Sequence, residues 1–354
     1  MTTRFATVFV ALGTLLIGSL VAIGTSYASL RSYATRAGGP SVSRVMTPPS
    51  AAPSPAPVAR GVLGTHPHLT LSGNVLLASG DNILLESDDG GKTFRPIALP
   101  VGAVGLVIAA SNPRRRLTGG ISLRLSDDGG SSWRLPPSNP PAPGPYTVLA
   151  INPLDGDVWF VAAHGRLLRT RDGGISWREI AGISTDSNSL VVPTGRRNEF
   201  VVSAGDEIYE LVDNGQQIRP RPGLPSPARP LEIIVAGNDQ NITLLARGSD
   251  GKDYLDGGGG WQASVPLAGP VAAVPGKWMV VGDGAGTPTA AQTESSSDLG
   301  RTWSAGEGLP SGESVDALGS SPDTSTVYAY TYGGSLLKST DGTNWTAAGG
   351  VLRS

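Results

Sequence analysis

The chain has 354 residues, no cysteine, 49 glycines, 29 prolines and a formal net charge of −2. The absence of cysteine excludes disulfides, thiolate metal sites, thiol nucleophiles and a lipid-modified N-terminal cysteine. Short apolar runs punctuated by Gly and Pro, with no helical periodicity after the first segment, predict an all-β protein.

Residues 5–28 carry no charge and follow a lone Arg4. As a helix they would measure about 36 Å at ~1.5 Å per residue, enough to cross a bilayer. Ser26 and Ala28 offer a second outcome, cleavage after Ala28 as a signal peptide. The apolar run is longer than the usual signal core of about 7–15 residues, so an uncleaved transmembrane helix is expected. Arg31, Arg36 and Arg44 behind the span weigh against that orientation under the positive-inside rule. The large β domain behind a signal-like start nevertheless predicts a cell-membrane protein with its bulk on the extracytoplasmic side, or a secreted one if the segment is cleaved. Residues 37–60, rich in Pro, Ala and Ser, read as an extended spacer. The expected organisation is an anchor or signal over 1–28, a linker over 29–60 and one domain over 61–354.

Within that domain one motif recurs. Thr170-Arg171-Asp172-Gly173-Gly174-Ile175-Ser176-Trp177 follows the pattern Ser/Thr-x-Asp-x-Gly-x-Ser/Thr-Trp. Further copies start at Ser87, Ser126, Leu211, Tyr254, Ser296 and Ser339, so that successive starts lie 39 to 44 residues apart. A period in this range signals a propeller or a solenoid. Each copy lies between two β-rich runs and reads as a strand-to-strand turn. Its aspartate (Asp89, Asp128, Asp172, Asp213, Asp256, Asp298, Asp341) accepts from nearby N–H groups, and its hydroxyl residue does the same. The fifth position (Gly91, Gly130, Gly174, Gly215, Gly258, Gly300) suits φ > 0. The closing aromatic (Trp133, Trp177, Trp261, Trp303, Trp345, with Phe94 and Ile218 in the other copies) offers an apolar plate between sheets. All these positions are structural in this reading.

The motif resembles the Asp box, or bacterial neuraminidase repeat, of sialidases, sortilin ectodomains, xyloglucan-hydrolysing enzymes and photosystem II assembly factors. The resemblance covers 61–354 and implies a β-propeller. In layout the chain is most similar to the assembly-factor and sortilin-type propellers, for which holding a protein or peptide is the implied task.

The third unit shows the plan: strands over 147–151, 158–163 and 166–170, the motif, then a fourth strand from Trp177. The seventh repeats it with 314–318, 327–331, 335–338 and the stretch after Trp345. Residues 61–354 divide into seven units of about 42 residues. The expected fold is a seven-bladed β-propeller of four-stranded antiparallel blades, preceded by one N-terminal hydrophobic helix. No capping segment suggests an open solenoid.

Residues 1–60 hold five arginines and no acid, which leaves the domain with 22 basic and 29 acidic residues. That balance argues against a nucleic-acid partner. Arg114-Arg115-Arg116, with Arg124 nearby, reads as a solvated turn or, more sharply, as a small anion contact.

A sialidase carries a Phe/Tyr-Arg-Ile-Pro stretch ahead of its first box and an arginine cluster for the substrate carboxylate. Here the similar string Phe94-Arg95-Pro96-Ile97 has the wrong order, and no Arg lies between Arg60 and Ser87. His66 and His68 form a pair without a third metal ligand in view. No phosphate loop, dinucleotide fingerprint or nucleophile elbow is present. No catalytic residue, metal or cofactor is therefore expected. The expected function is a non-catalytic binding or scaffold module for a protein, peptide or glycan partner, with a sialidase-like or other two-carboxylate glycosidase as the alternative. In a four-stranded blade the motif turns share one rim with the turns between first and second strands. The opposite rim, formed by the turns between second and third strands and the links between blades, is free to vary. Its candidate binding residues are Asp81, His164, Asp206, Arg221, Arg229, Arg247, Asp250, Asp283 and Tyr332.

Overall fold

The structure is a computed structural model that describes residues 63, 67–80, 83–186, 190–194, 198–235, 243–263, 269–274, 277–282, 293–298, 302–310, 313–320 and 325–351. The apolar segment 5–28, the linker, and His66, Asp81, Asp283 and Gly300 lie outside them. Among the described residues no helix is long and apolar enough to cross a membrane.

The first sheet holds β1 (His68–Ser72), β2 (Val75–Ser79), β3 (Leu84–Ser87) and β4 (Arg95–Pro96). Then come β5 (Ala103–Ala109), β6 (Asn112–Gly120), β7 (Arg124–Ser126), β8 (Tyr146–Asn152), β9 (Asp155–Ala163), β10 (Arg166–Thr170) and β11 (Arg178–Ser184). β12 (Leu190–Pro193), β13 (Phe200–Ala204), β14 (Glu207–Val212) and β15 (Gln217–Arg221) form the next sheet. They are followed by β16 (Pro230–Val235), β17 (Leu244–Gly248), β18 (Asp253–Asp256) and β19 (Trp261–Ala263). The last two sheets are β20 (Val271–Val274), β21 (Trp278–Gly282), β22 (Thr293–Ser296), β23 (Ser304–Ala305), and β24 (Val315–Ser320), β25 (Val327–Thr331), β26 (Ser335–Ser339), β27 (Thr346–Val351).

The fold is all-β, and its sheets are antiparallel meanders, but the count departs from expectation. Five sheets have four strands, whereas β5–β11 form one seven-stranded sheet. Two local causes account for this. Gly120 pairs with Tyr146, which joins β6 to β8. The outer strand expected after Trp133 shrinks to a single bridge between Leu125 and Arg134. The next eleven residues contain six prolines, which have no N–H to donate to a ladder.

Alternation of side chains explains why second strands such as β2 and the inner half of β9 are apolar on both faces. In β2, Val75 and Leu77 pack on Leu106 and Ile108 of the following unit. Leu76 and Ala78 point the other way, onto Tyr328, Tyr330 and Leu336 of the last sheet. In β9, Trp159 and Val161 join Val107, Leu117 and Leu125, while Phe160 and Ala162 join Val191, Phe200 and Val202. A strand sandwiched on both faces has no solvent side to make polar. Equivalent clusters carry the stacking from β12–β14 to β16–β18, on to β20 and β21, and on to β24–β26. The succession closes on itself. Leu63, Leu69 and Leu71 share a cluster with Ala317 and Tyr330, and the Leu63 N–H donates to the Tyr330 hydroxyl at 3.3 Å. A Cβ on Gly319 would stand 2.8 Å from the Leu69 carbonyl oxygen, so only glycine lets these strands meet this closely.

Candidate binding rim and the Asp turns

Four of the motif turns are built alike. Ser126 Oγ donates to Asp128 Oδ1 at 2.8 Å, the Ser132 N–H donates to the same oxygen at 2.9 Å, and Ser132 Oγ donates to Oδ2 at 2.5 Å. The Gly130 N–H in turn donates to Ser126 Oγ at 2.8 Å. Asp89, Asp172 and Asp298 repeat these contacts with Ser87 and Thr93, Thr170 and Ser176, and Ser296 and Thr302. Asp341 does so one residue earlier, with Thr343 and Asn344. The carboxylate thus organises its whole turn, and its acidity shows it. Asp128 is lowered to about 2, chiefly by the Ser132 hydroxyl and N–H and then by Ser126. Asp89 is held well below the usual carboxylate range by Thr93 and Ser87. Burial opposes ionisation of Asp172, but the bonds from Ser176 and Thr170 outweigh it and its pKa is lowered as well.

Two copies are different devices. Asp256 accepts from the N–H groups of Gly258 and Gly260 at 2.8 and 3.0 Å. Those are the bonds the hydroxyl makes in the other copies, so Asp256 stands in the serine slot. Gly260, at φ 100°, replaces Gly258 as the fifth-position glycine, and the turn is two residues shorter. The freed carboxylate oxygen takes Arg221 at 2.6 Å. In the fourth unit Leu211 occupies the hydroxyl slot, and Asp213 and Asn214 adopt φ 50° and 53°. There the half-buried Asp213 carboxylate holds no turn N–H; it accepts from the Gln216 side-chain amide and faces Arg171 at 3.8 Å. Asn214 is buried instead, and its side-chain oxygen accepts from Asn152 at 2.8 Å.

The closing aromatics bind backward, to the preceding unit. The indole N–H of Trp133 donates to Ala98 O, that of Trp177 to Ser138 O and that of Trp261 to Pro222 O, at 3.2, 3.1 and 2.8 Å. Trp345 donates to Thr293 Oγ1 at 2.9 Å, and Trp303 packs on the cluster around Ile234 and Met279. Each indole therefore spans one inter-sheet seam with an apolar face and a polar tip.

Turns β2–β3, β6–β7, β9–β10 and their equivalents lie at the same end as the links between units, because each link leads into a strand whose start pairs with the end of the next. Tyr146 opposite Ala163 is one case. His164 sits here, exposed, at φ 50°, with its ring nitrogen 3.0 Å from Gly144 O. Asp206 and Arg229 meet across turn and link at 2.7 Å, both well exposed. Asp250 accepts from the Tyr254 hydroxyl at 2.7 Å. Its burial is outweighed by that bond and by Lys252, leaving its pKa lowered. The Tyr332 N–H donates to Ser314 O at 2.9 Å.

Two expected rim cations are placed elsewhere. Arg221 bridges Glu210 and Asp256 between sheets and is 11% exposed. Arg247 lies within its own sheet against Glu232 and Asp253, donating also to Gly269 O. The triple arginine run is likewise divided. Arg114 is exposed, Arg115 pairs with Asp127 and Asp157, and Arg116 is buried against Glu86 at 2.5 Å. No cluster of three or more His, Asp or Glu that could hold a metal occurs among the described residues.

No protein-family model matches the chain, and no curated protein does. Solved structures do. A GH74 enzyme from Niastella koreensis superimposes with a TM-score of 0.57 at 16% identity, over 81% of this chain and 54% of that one. YCF48 bound to D1 peptide gives 0.54 at 18% identity, over 79% of this chain and 94% of that one. An ancestral GH74 enzyme gives 0.54 at 12%, over 83% and 48%. The chain spans about half the length of the GH74 enzymes it matches. At such identities the likeness concerns the fold, and on that ground, together with the closed succession of antiparallel sheets, the chain is a β-propeller.

Proposed function

We propose that this chain is a seven-bladed Asp-box propeller that binds a protein or peptide without catalysis, held at the extracytoplasmic face of a membrane by residues 5–28. The blade count follows if the seven-stranded sheet is two blades joined at Gly120 and Tyr146, with Arg134 the remnant of one outer strand. The observation that carries the non-catalytic reading is the employment of the carboxylates. Asp89, Asp128, Asp172, Asp298 and Asp341 each hold a turn. Glu86, Glu210, Asp253 and Asp256 each neutralise an arginine. A general acid needs a raised pKa, whereas among the described residues every carboxyl shift resolved is downward. YCF48, the match spanned almost end to end, has a bound peptide. The GH74 matches keep a glycosidase as the second reading.

The test immobilises the full chain, purified in detergent, and screens it against a displayed peptide library. Enriched peptides that bind saturably and lose affinity when the rim residues Arg229 and Tyr332 are changed would support the reading. Release of reducing ends from a panel of β-glucans, abolished by a single carboxylate substitution, would replace it with the glycosidase.

A further inference from the structure

Two of the most exposed large apolar side chains among the described residues are Val101 and Ile121, at 106% and 84% of their free area. Val101 lies in the link before β5 and Ile121 in the β6–β7 turn, so both belong to the rim of links. Ile121 Cδ1 is 3.9 Å from where a Cβ on Gly102 would stand, and the Ile121 carbonyl presses on Gly144 in the following link. Pro143 and Pro145 are exposed beside it. Single exposed apolar residues are ordinary, but a contiguous patch marks a contact surface.

We propose that this corner of the rim rests on a lipid surface, with Val101 and Ile121 entering the boundary between headgroups and acyl chains. The proposal rests on the membrane tether proposed above and adds an orientation to it. The route of the chain selects this occupant. β1 starts with His68 opposite Ser79, and Leu63 lies against Gly80, so the chain enters the propeller at this same rim. Thirty-four residues separate Ala28 from Leu63. A chain of that length reaches at most roughly 115 Å even when fully extended, so the rim at which it enters is the part of the domain held nearest the bilayer. Two apolar side chains bind a bilayer weakly on their own, but tethering makes the contact intramolecular and a weak contact then suffices. Arg124, whose Nε donates to Ser122 Oγ at 3.1 Å, adds a cation beside the same turn, suited to anionic headgroups. Leu154 and Ile175, also exposed, lie on the opposite rim, away from the entry of the chain.

The chain has no cysteine, so single cysteines can be placed at will. Ser122→Cys and Ile175→Cys in the full chain are labelled with an environment-sensitive fluorophore. Each is reconstituted into vesicles of phosphatidylcholine and phosphatidylglycerol, with or without a nitroxide at shallow acyl depth. The label at 122 should be quenched at least about twofold, given insertion of ~5–10 Å, and the label at 175 should be unaffected. Adding Val101→Asp and Ile121→Asp should bring 122 down to the level of 175. Floating vesicles that carry protein unquenched at 122, or quenched more at 175, overturn the orientation while leaving the tether intact. Quenching at 122 that requires only a second labelled copy assigns the patch to self-association and also overturns it. Protein that fails to float removes the tether and this proposal together.

Discussion

Glu86 and Arg116, thirty residues apart and on different sheets, form an ion pair at 2.5 Å with both side chains 3% exposed. Arg95 approaches the other Glu86 oxygen from the surface at 2.5 Å. In the register of the sheets, Arg116 sits opposite the hydroxyl of its turn, where other units place Leu76, Trp159, Phe200, Met279 and Val327. At this register position the second unit therefore places a charge where those five place hydrocarbon. Removing only one partner strands a buried charge, so Glu86→Ala should cost about 3–5 kcal/mol. Glu86→Leu with Arg116→Met should recover most of it, since apolar replacement of a buried pair is often neutral. Urea denaturation of the two single variants and the double variant decides this. A double variant no better than the singles would show that the pair does more than fill the seam.

The Asp turns make stability depend on acid. The folded pKa values of Asp128, Asp89, Asp172 and Asp341 are all lowered, so their contribution is complete above the unfolded value near ~4 and is lost as protons bind below it. The melting temperature should be level from neutral pH down to about 4 and fall steeply toward the folded value of Asp128, about 2. Asp128→Asn should lower the plateau and flatten part of the slope. A parallel slope in that variant would assign the acid sensitivity to other carboxyls.

Two glycines with similar backbone should respond differently to alanine. Gly174 has φ 87°, and an added Cβ would lie 2.9 Å from both Trp159 and Pro136. Gly182 has φ 84° with nothing within 4 Å. Gly182→Ala should cost about 1 kcal/mol from backbone strain alone, and Gly174→Ala about 2–4 kcal/mol because packing adds to it. Equal losses in a thermal melt would mean that the sheet gives way at Trp159 without penalty.

The proposed binding rim predicts a division between function and stability. The exposed Arg229–Asp206 pair contributes about 0–1 kcal/mol at most, so Arg229→Glu with Tyr332→Ala should weaken partner binding and leave the melt nearly unchanged. Arg247→Glu should destabilise instead, because it places a third acid beside Glu232 and Asp253. Arg114→Glu on the Asp-turn rim should alter neither. A pull-down in which Arg114→Glu alone loses the partner moves the binding surface to the other rim.

The periodicity made the strands legible. The expected 166–170 and 327–331 coincide with Arg166–Thr170 and Val327–Thr331, because apolar alternation and flanking turns agree there. The frame of the fifth turn was not legible. Four consecutive glycines from Gly257 to Gly260 permit two alignments, and the hydrogen bonds to Asp256 decide between them. Nor was Arg116, since a basic run reads as solvent-exposed unless the opposing Glu86 is known to lie on the next sheet. Arg221 and Arg247 were misplaced for a related reason. Sequence shows which end of a strand a residue occupies, but a long side chain reaches several ångströms toward a neighbouring sheet before its charge finds a partner.

Closure of the ring has a mechanical side. Neighbouring sheets are joined by the polypeptide everywhere except where β1 meets β24, and there, among the described residues, the link is side-chain packing around Leu69 and Tyr330 together with the hydrogen bond from Leu63. Tension arriving along the N-terminal linker is delivered at Leu63, on that very joint. Under the proposed tether, a pull on the linker would load this joint first, as a force on a split washer falls on its cut. The fit of Leu69 against Gly319 belongs to that joint, and a single methyl group on the glycine would collide there with backbone.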